Sequence, residues 1–157
     1  MTQAASRICL AAQRLAQHAG QCLFVTLGHG GSPRARYMGA LKVDNGMKVF
    51  LVCRPGSNKV REIARDPRAQ VVLADEPRRR VVTLNGNAYL ERSRTVRKKL
   101  FTATAPLKLY PAFNNDFGVI RFIPETLEYL DLDIRLEPVI IDLTGRRHCS
   151  PKTLKTS

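Results

Sequence analysis

Apolar residues recur at helical spacing over residues 2–19, where Ala5, Ile8, Ala12, Leu15 and Ala19 share one stripe and Gly20 ends the run. Beyond it the pattern becomes strand-like. Gln21 to Leu27 is an apolar run; Gly28, Gly30, Gly31, Ser32 and Pro33 make a turn; Arg34 to Val43 is a second strand. Asn45-Gly46 predicts a hairpin whose two turn residues take positive φ, with Met47 to Cys53 returning. Pro55-Gly56-Ser57 breaks that strand. Residues 58–65 then predict a short helix with Val60, Ile63 and Ala64 facing inward, stopped by Pro67. Ala69–Ala74 and Arg80–Leu90 are two more strands joined through Glu76-Pro77. Ser93 to Thr102 reads as a basic amphipathic helix with Val96, Leu100 and Phe101 as its stripe. Residues 103–117 are irregular. Val119–Ile123 and Leu127–Leu132 are late strands separated by Pro124, and Val139–Leu143 is one more.

Roughly seven strands that follow one another through turns predict a mainly β fold with peripheral helices, mostly antiparallel and closed as a barrel. Strands and helices do not alternate, which excludes a Rossmann fold. The glycines at 28–31 lie between two strands rather than ahead of a helix, so they are no dinucleotide fingerprint. The 157 residues suit one domain, assigned here to 1–144, followed by a basic tail over 145–157. That tail carries Arg146, Arg147, Lys152 and Lys155 without an acid and is expected to be flexible. No apolar run approaches the ~18–20 residues of a membrane span, and the N-terminus lacks a secretory pattern. A cytoplasmic protein with no membrane partner is expected. Cys9, Cys22, Cys53 and Cys149 show no metal-ligand spacing, so free thiols and no metal site are expected. The net charge of +13 does change the picture, because it calls for an anionic partner: a phosphorylated ligand, nucleic acid or a membrane surface.

Two stretches could supply an anion site. On the second strand, alternation puts Arg34, Arg36, Met38, Ala40 and Lys42 on one face and Ala35, Tyr37, Gly39, Leu41 and Val43 on the other. Two arginines beside a methionine could grip an anion next to an apolar plate; the same pattern also suits an edge strand with solvated arginines. Ser57-Asn58-Lys59 opens the short helix. Ser57 is an N-cap candidate, and the helix start offers free N–H groups and a positive dipole end, to which Lys59 adds a full charge. Plain capping explains the same residues. A hairpin would bring the arginine strand beside the strand that delivers Ser57 and Lys59, so one phosphate could lie between them.

The ordered stretches Gly31-Ser-Pro-Arg-Ala-Arg-Tyr-Met38, Asp44-Asn-Gly-Met-Lys-Val-Phe50, Ser57-Asn-Lys-Val-Arg-Glu-Ile63 and Asp66-Pro-Arg-Ala-Gln-Val-Val72 resemble the flavin-binding split barrels of the pyridoxamine 5′-phosphate oxidase-like family, including its general-stress-protein branch. Val82-Thr-Leu-Asn-Gly-Asn-Ala88 and Pro124-Glu-Thr-Leu-Glu-Tyr129 continue the same order, so the likeness spans residues 20–132. The resemblance implies FMN bound at a homodimer interface. By position, Arg36 matches a phosphate-contacting strand arginine, and Ser57 and Lys59 match the pair holding the phosphate. Tyr37, Met38 and Gly39 would lie along the isoalloxazine ring, and Arg80 and Val82 where the partner subunit approaches. Two positions depart from the pattern. Asn58 stands where arginine is usual, and Cys53 where a hydroxyl residue helps hold the phosphate; a thiol is the poorer donor. The C-terminal substrate pattern of the true oxidases is absent, although Arg146, Arg147 and His148 offer the residue types.

Four functions remain open. They are an FMN-dependent oxidoreductase acting on a small molecule, a non-enzymatic flavin binder or sensor, a deazaflavin- or haem-binding relative, and a basic nucleic-acid-binding barrel with a degenerate flavin site. No catalytic acid, base or nucleophile is identified, since the flavin would carry the chemistry. His29 in the glycine turn could approach a ligand, though a turn histidine is more often merely exposed; Tyr110 and Phe113 could lid the flavin or stack on a substrate, but packing over the barrel mouth explains them as well. Arg78-Arg79-Arg80 and the Arg92, Arg94, Arg97, Lys98 and Lys99 group could meet nucleic-acid phosphates. No aromatic residue interleaves with them along the chain, which argues against a stacking platform.

Overall fold

The computed structural model describes residues 3–103 and 112–144. Its elements run α1 (Gln3–His18), β1 (Gln21–Leu27), β2 (Pro33–Val43), β3 (Val49–Cys53), α2 (Asn58–Arg65), β4 (Arg68–Asp75), β5 (Arg80–Leu90), α3 (Arg94–Ala103), β6 (Gly118–Asp131) and β7 (Val139–Asp142). The strands lie in the order β3-β2-β1-β4-β5-β6-β7, and β3 also pairs with β6. That extra pairing closes six strands into an antiparallel barrel, as the hairpin-rich pattern predicts. β6 changes partner along one edge: residues 118–122 pair with β3 and 126–129 with β7.

Strict alternation builds the interior. Phe24, Val71, Leu73, Val82, Leu84 and Phe122 are fully buried, while their strand neighbours face outward. α1 turns Cys9, Ala12, Leu15 and Ala16 into the same core cluster. Its Gln13 and Gln17 donate to Asn45 at 3.2 Å, tying the helix to the β2–β3 connection. Burial pushes the Cys22 thiol up to about 12, as befits an inert core residue. Cys22 and Cys53 are free thiols, but Cys9 is disulfide-bonded, so the expectation of free thiols fails there. Cys149 and the rest of the predicted tail lie outside the described residues.

Several local expectations are corrected. Positive φ in the β2–β3 turn falls on Met47 (64°), not on Asn45 or Gly46. Asp44 explains this: its carbonyl accepts from the Met47 N–H and its carboxylate from the Gly46 and Lys48 N–H groups, making a three-residue loop. Full burial of the Met47 side chain offsets the cost of that backbone. Pro124 does not split the late strands. β6 runs through it because the register against β5 shifts at Asn85/Gly86, the kind of bulge that tolerates proline. Gly86 is required there, since a Cβ would lie 2.1 Å from the Ile123 carbonyl oxygen. A register shift between Ala40 and Lys42 likewise takes Lys42 off the Arg36–Met38 face. On α2, Glu62 rather than Ala64 joins Val60 and Ile63 in facing inward. On α3, Val96 is exposed.

Candidate functional site

Ser57, in extended conformation (φ −74°, ψ 158°), ends the turn after β3 and occupies the N-cap position of α2. Its hydroxyl makes no capping bond; Oγ is buried and has no partner among the described residues. No acid occupies the first turn of α2. The amide groups at a helix start have no intrahelical acceptor, so this end presents donors and positive charge without a built-in anion. Arg61 closes the outer side by donating to the Gly56 carbonyl at 2.9 Å and to the Asn58 side chain. Asn58 is therefore occupied by Arg61.

Cys53, at the end of β3, is buried beside this turn. Burial pushes its thiol up to about 11, while the positive charges of Lys59 and Arg97 pull it down. Cations from two different helices thus act electrostatically on one thiol. Arg97 was missed as a site residue. It precedes Leu100 by three positions and Phe101 by four, which puts it on the inner side of α3. That spacing was the signal available for it. Its guanidinium donates to the Phe117 carbonyl at 3.2 Å and lies 5.9 Å from the Phe113 ring centre, while Nε is buried without a partner. Phe101, Phe113 and Phe117 pack ring against ring at 5.1–5.8 Å and hold this side of α3 in place. Gly118 lets β6 start against Cys53; a Cβ there would sit 3.0 Å from the sulfur.

Arg36 belongs to a different arrangement. It donates to Glu62 Oε2 at 2.9 Å and to the Thr26 hydroxyl at 2.7 Å, and that hydroxyl donates to Glu62 at 2.5 Å. Arg34 adds a 3.5 Å ion pair to the same carboxylate. Glu62 and Thr26 are buried. Arg36 thus ties α2 to β1 and β2 with its charge already matched.

The remaining predicted residues divide between core and cleft. Met38 and Val82 are buried in the barrel core, so their side chains are turned away from any ring or partner outside it. Gly39 pairs with Gln21. Tyr37 is 82% exposed, and Tyr37 and Arg80 line one cleft of about 1130 Å³ with Arg14, His18, Glu76 and Arg78. Arg80 ion-pairs with the buried Asp131 at 2.8 Å. His29 is exposed, as expected. Phe113 packs in the α3 ring cluster, and Tyr110 lies outside the described residues. No group of potential metal ligands occurs among the described residues, and no helix there is long and apolar enough to cross a membrane.

Comparison with known proteins adds a family and a set of relatives. The family model described as pyridoxamine 5′-phosphate oxidase matches residues 11–131. No curated protein matches the chain. Among solved structures, a general stress protein 26-related protein from Clostridium acetobutylicum superposes with a TM-score of 0.73 at 17% identity, over 87% of this chain and 94% of that one. A heme binding protein from Mycobacterium smegmatis gives 0.70 at 19% identity, over 87% of this chain and 58% of that one. A pyridoxamine 5′-phosphate oxidase-related, FMN binding protein from Nostoc punctiforme gives 0.57 at 15% identity, over 88% and 87%.

Proposed function

The chain belongs to the pyridoxamine 5′-phosphate oxidase family, and on that premise we propose that it is an FMN-binding homodimer acting as an oxidoreductase on a small molecule. The observation that carries this reading is the α2 start. Two buried polar atoms without partners, Ser57 Oγ and Arg97 Nε, occur where Lys59 adds a second cation and no acid intervenes. Buried polar groups in folded proteins are normally hydrogen-bonded. A phosphate would supply acceptors to both and match the charge of Lys59 and Arg97. The residues therefore fit the phosphate end of FMN, with Cys53 giving bulk rather than a strong hydrogen bond. Arg36 is assigned to holding α2 rather than to the phosphate, because Glu62 already satisfies it.

When bound, FMN supplies the redox chemistry. The chain's own residues bind and orient. Tyr37 offers an exposed ring next to Arg36 on β2, and Arg80 shares its cleft. The outer face of β2, β1 and β4 has an apolar centre: Leu23 pairs with both Tyr37 and Val72, and Val25 with Ala35, with Gln70 beside it. Such a face suits a second copy of the chain, which would cover the exposed Tyr37. The expected location is the cytoplasm.

Absorption of the purified protein after incubation with FMN and desalting tests this reading. Retention of the flavin bands, one equivalent per chain, is the expected result. A protein that returns colourless contradicts it. Haem, prompted by the Mycobacterium smegmatis relative, would instead give a single intense Soret band after haem is added.

A further inference from the structure

We propose that the barrel flank formed by the outer faces of β2, β3, β6 and β5, beside α3, binds single-stranded nucleic acid. Along the chain no aromatic residue interleaves with the basic clusters, but the sheet register produces the interleaving in space. Lys42 pairs with Phe50, Phe50 with Arg121, and Arg121 with Tyr89. All four point outward, since Val49, Leu51, Ala88, Ile120 and Phe122 beside them fill the interior. The row therefore reads cation, ring, cation, ring across four adjacent strands. With strands roughly 4.8 Å apart, Phe50 and Tyr89 are separated by about 10 Å, and Arg121 lies between them.

Lys42 is exposed and Phe50 half-buried. Tyr89 is 42% exposed and the Arg121 side chain 43%. The guanidinium end of Arg121 pairs with Glu91 at 3.5 Å, and its Nε is buried without a partner among the described residues. Phe50 packs against the buried cluster of Val52, Leu100, Phe117 and Val119, which stiffens it as a platform. α3 then borders the row with exposed Arg94, Lys98 and Lys99, none of which has an ion-pair partner among the described residues. Rings that accept a base face, flanked by cations that follow a phosphate backbone, suit an unpaired strand. A duplex keeps its bases stacked on one another and offers this row only phosphates. The row shares β3 and α3 with the proposed phosphate site but uses none of its residues, so FMN retention by Tyr89→Ala separates failure of one reading from failure of the other.

Fluorescence anisotropy of a labelled oligothymidine, titrated with the full chain between about 50 and 200 mM salt, tests it. The wild type binds, and the matched duplex binds more weakly. Tyr89→Ala weakens oligothymidine binding about fivefold or more without altering the salt slope. Lys98→Ala/Lys99→Ala flattens the log–log salt slope by about 1.4. Circular dichroism melts that match the wild type show that both variants keep the barrel. Absence of binding at low salt, equal affinity for the duplex, or wild-type affinity in Tyr89→Ala each overturns the proposal.

Discussion

The short helix α2 carries two cationic clusters built in opposite ways. On one side, Arg36 and Arg34 meet the buried carboxylate of Glu62, and Thr26 completes a closed set of hydrogen bonds. On the other, the charges of Lys59 and Arg97 act on Cys53, and Ser57 Oγ and Arg97 Nε are buried without partners among the described residues. The first cluster satisfies itself and so reads as structure. The second leaves donors unsatisfied and so reads as a site for an anion supplied from outside. Charge type does not distinguish them, since both use basic side chains: Arg34 and Arg36 of β2 meet Glu62 of α2, while Lys59 of α2 is joined by Arg97 of α3. What distinguishes them is whether the fold provides the acceptor.

The comparison breaks most visibly if the closed cluster is opened. Glu62→Ala leaves Arg36 facing an unmatched, half-buried position and should cost about 3 kcal/mol of stability, as when one partner of a buried pair is lost. Chemical denaturation measures it. Arg36→Ala should act mainly through stability too, because it strands the Glu62 carboxylate. The open cluster should respond the other way. Lys59→Ala and Arg97→Ala should each weaken FMN binding by about 1.5–3 kcal/mol, the range for hydrogen bonds to charged groups; Lys59→Ala should do so with little change in denaturation midpoint, while Arg97→Ala also loses its bond to the Phe117 carbonyl.

A pH scan sharpens the contrast at smaller magnitude. Burial alone raises the Glu62 pKa, but the Thr26 hydrogen bond and the Arg36 and Arg34 charges outweigh it and hold the carboxyl below its ordinary 4.5. A lowered folded-state pKa gives stability that is complete above the unfolded value and is lost as pH falls below it. Acidification below 4.5 should therefore lower the melting temperature of the wild type more steeply than that of Glu62→Gln. The smallest effect is at Ser57. An N-cap serine changed to alanine ordinarily costs about 1 kcal/mol of stability. Here the hydroxyl caps nothing, so Ser57→Ala should leave thermal stability unchanged while weakening FMN binding by about 1 kcal/mol.

The strand positions and the α2 start were legible because their signals are local. The apolar run Gln21–Leu27 and the stretch Arg80–Leu90 marked strands whose bounds match the observed ones, and Pro55-Gly56-Ser57 marked the turn into α2. Signals that depend on pairing partners were not. Pro124 read as a break because the tolerance for it comes from Gly86 on another strand. Lys42 left its predicted face because of a register shift that one strand's own alternation cannot show. Arg36 looked like a free cation because Glu62 lies 26 residues away. Arg97 was hidden among basic neighbours, although its spacing to Leu100 and Phe101 already placed it inward. The Phe50–Arg121–Tyr89 row exists only in the register of three strands.

The most direct test of the open cluster is a paired titration of the protein with FMN and with riboflavin, which lacks only the phosphate, followed by flavin fluorescence in the wild type and in Lys59→Ala. The account predicts that the wild type binds FMN at least tenfold more tightly than riboflavin, about 1.4 kcal/mol, and that the gap narrows in Lys59→Ala while riboflavin affinity stays the same. Equal binding of the two flavins by the wild type, or a gap that survives Lys59→Ala intact, would contradict it.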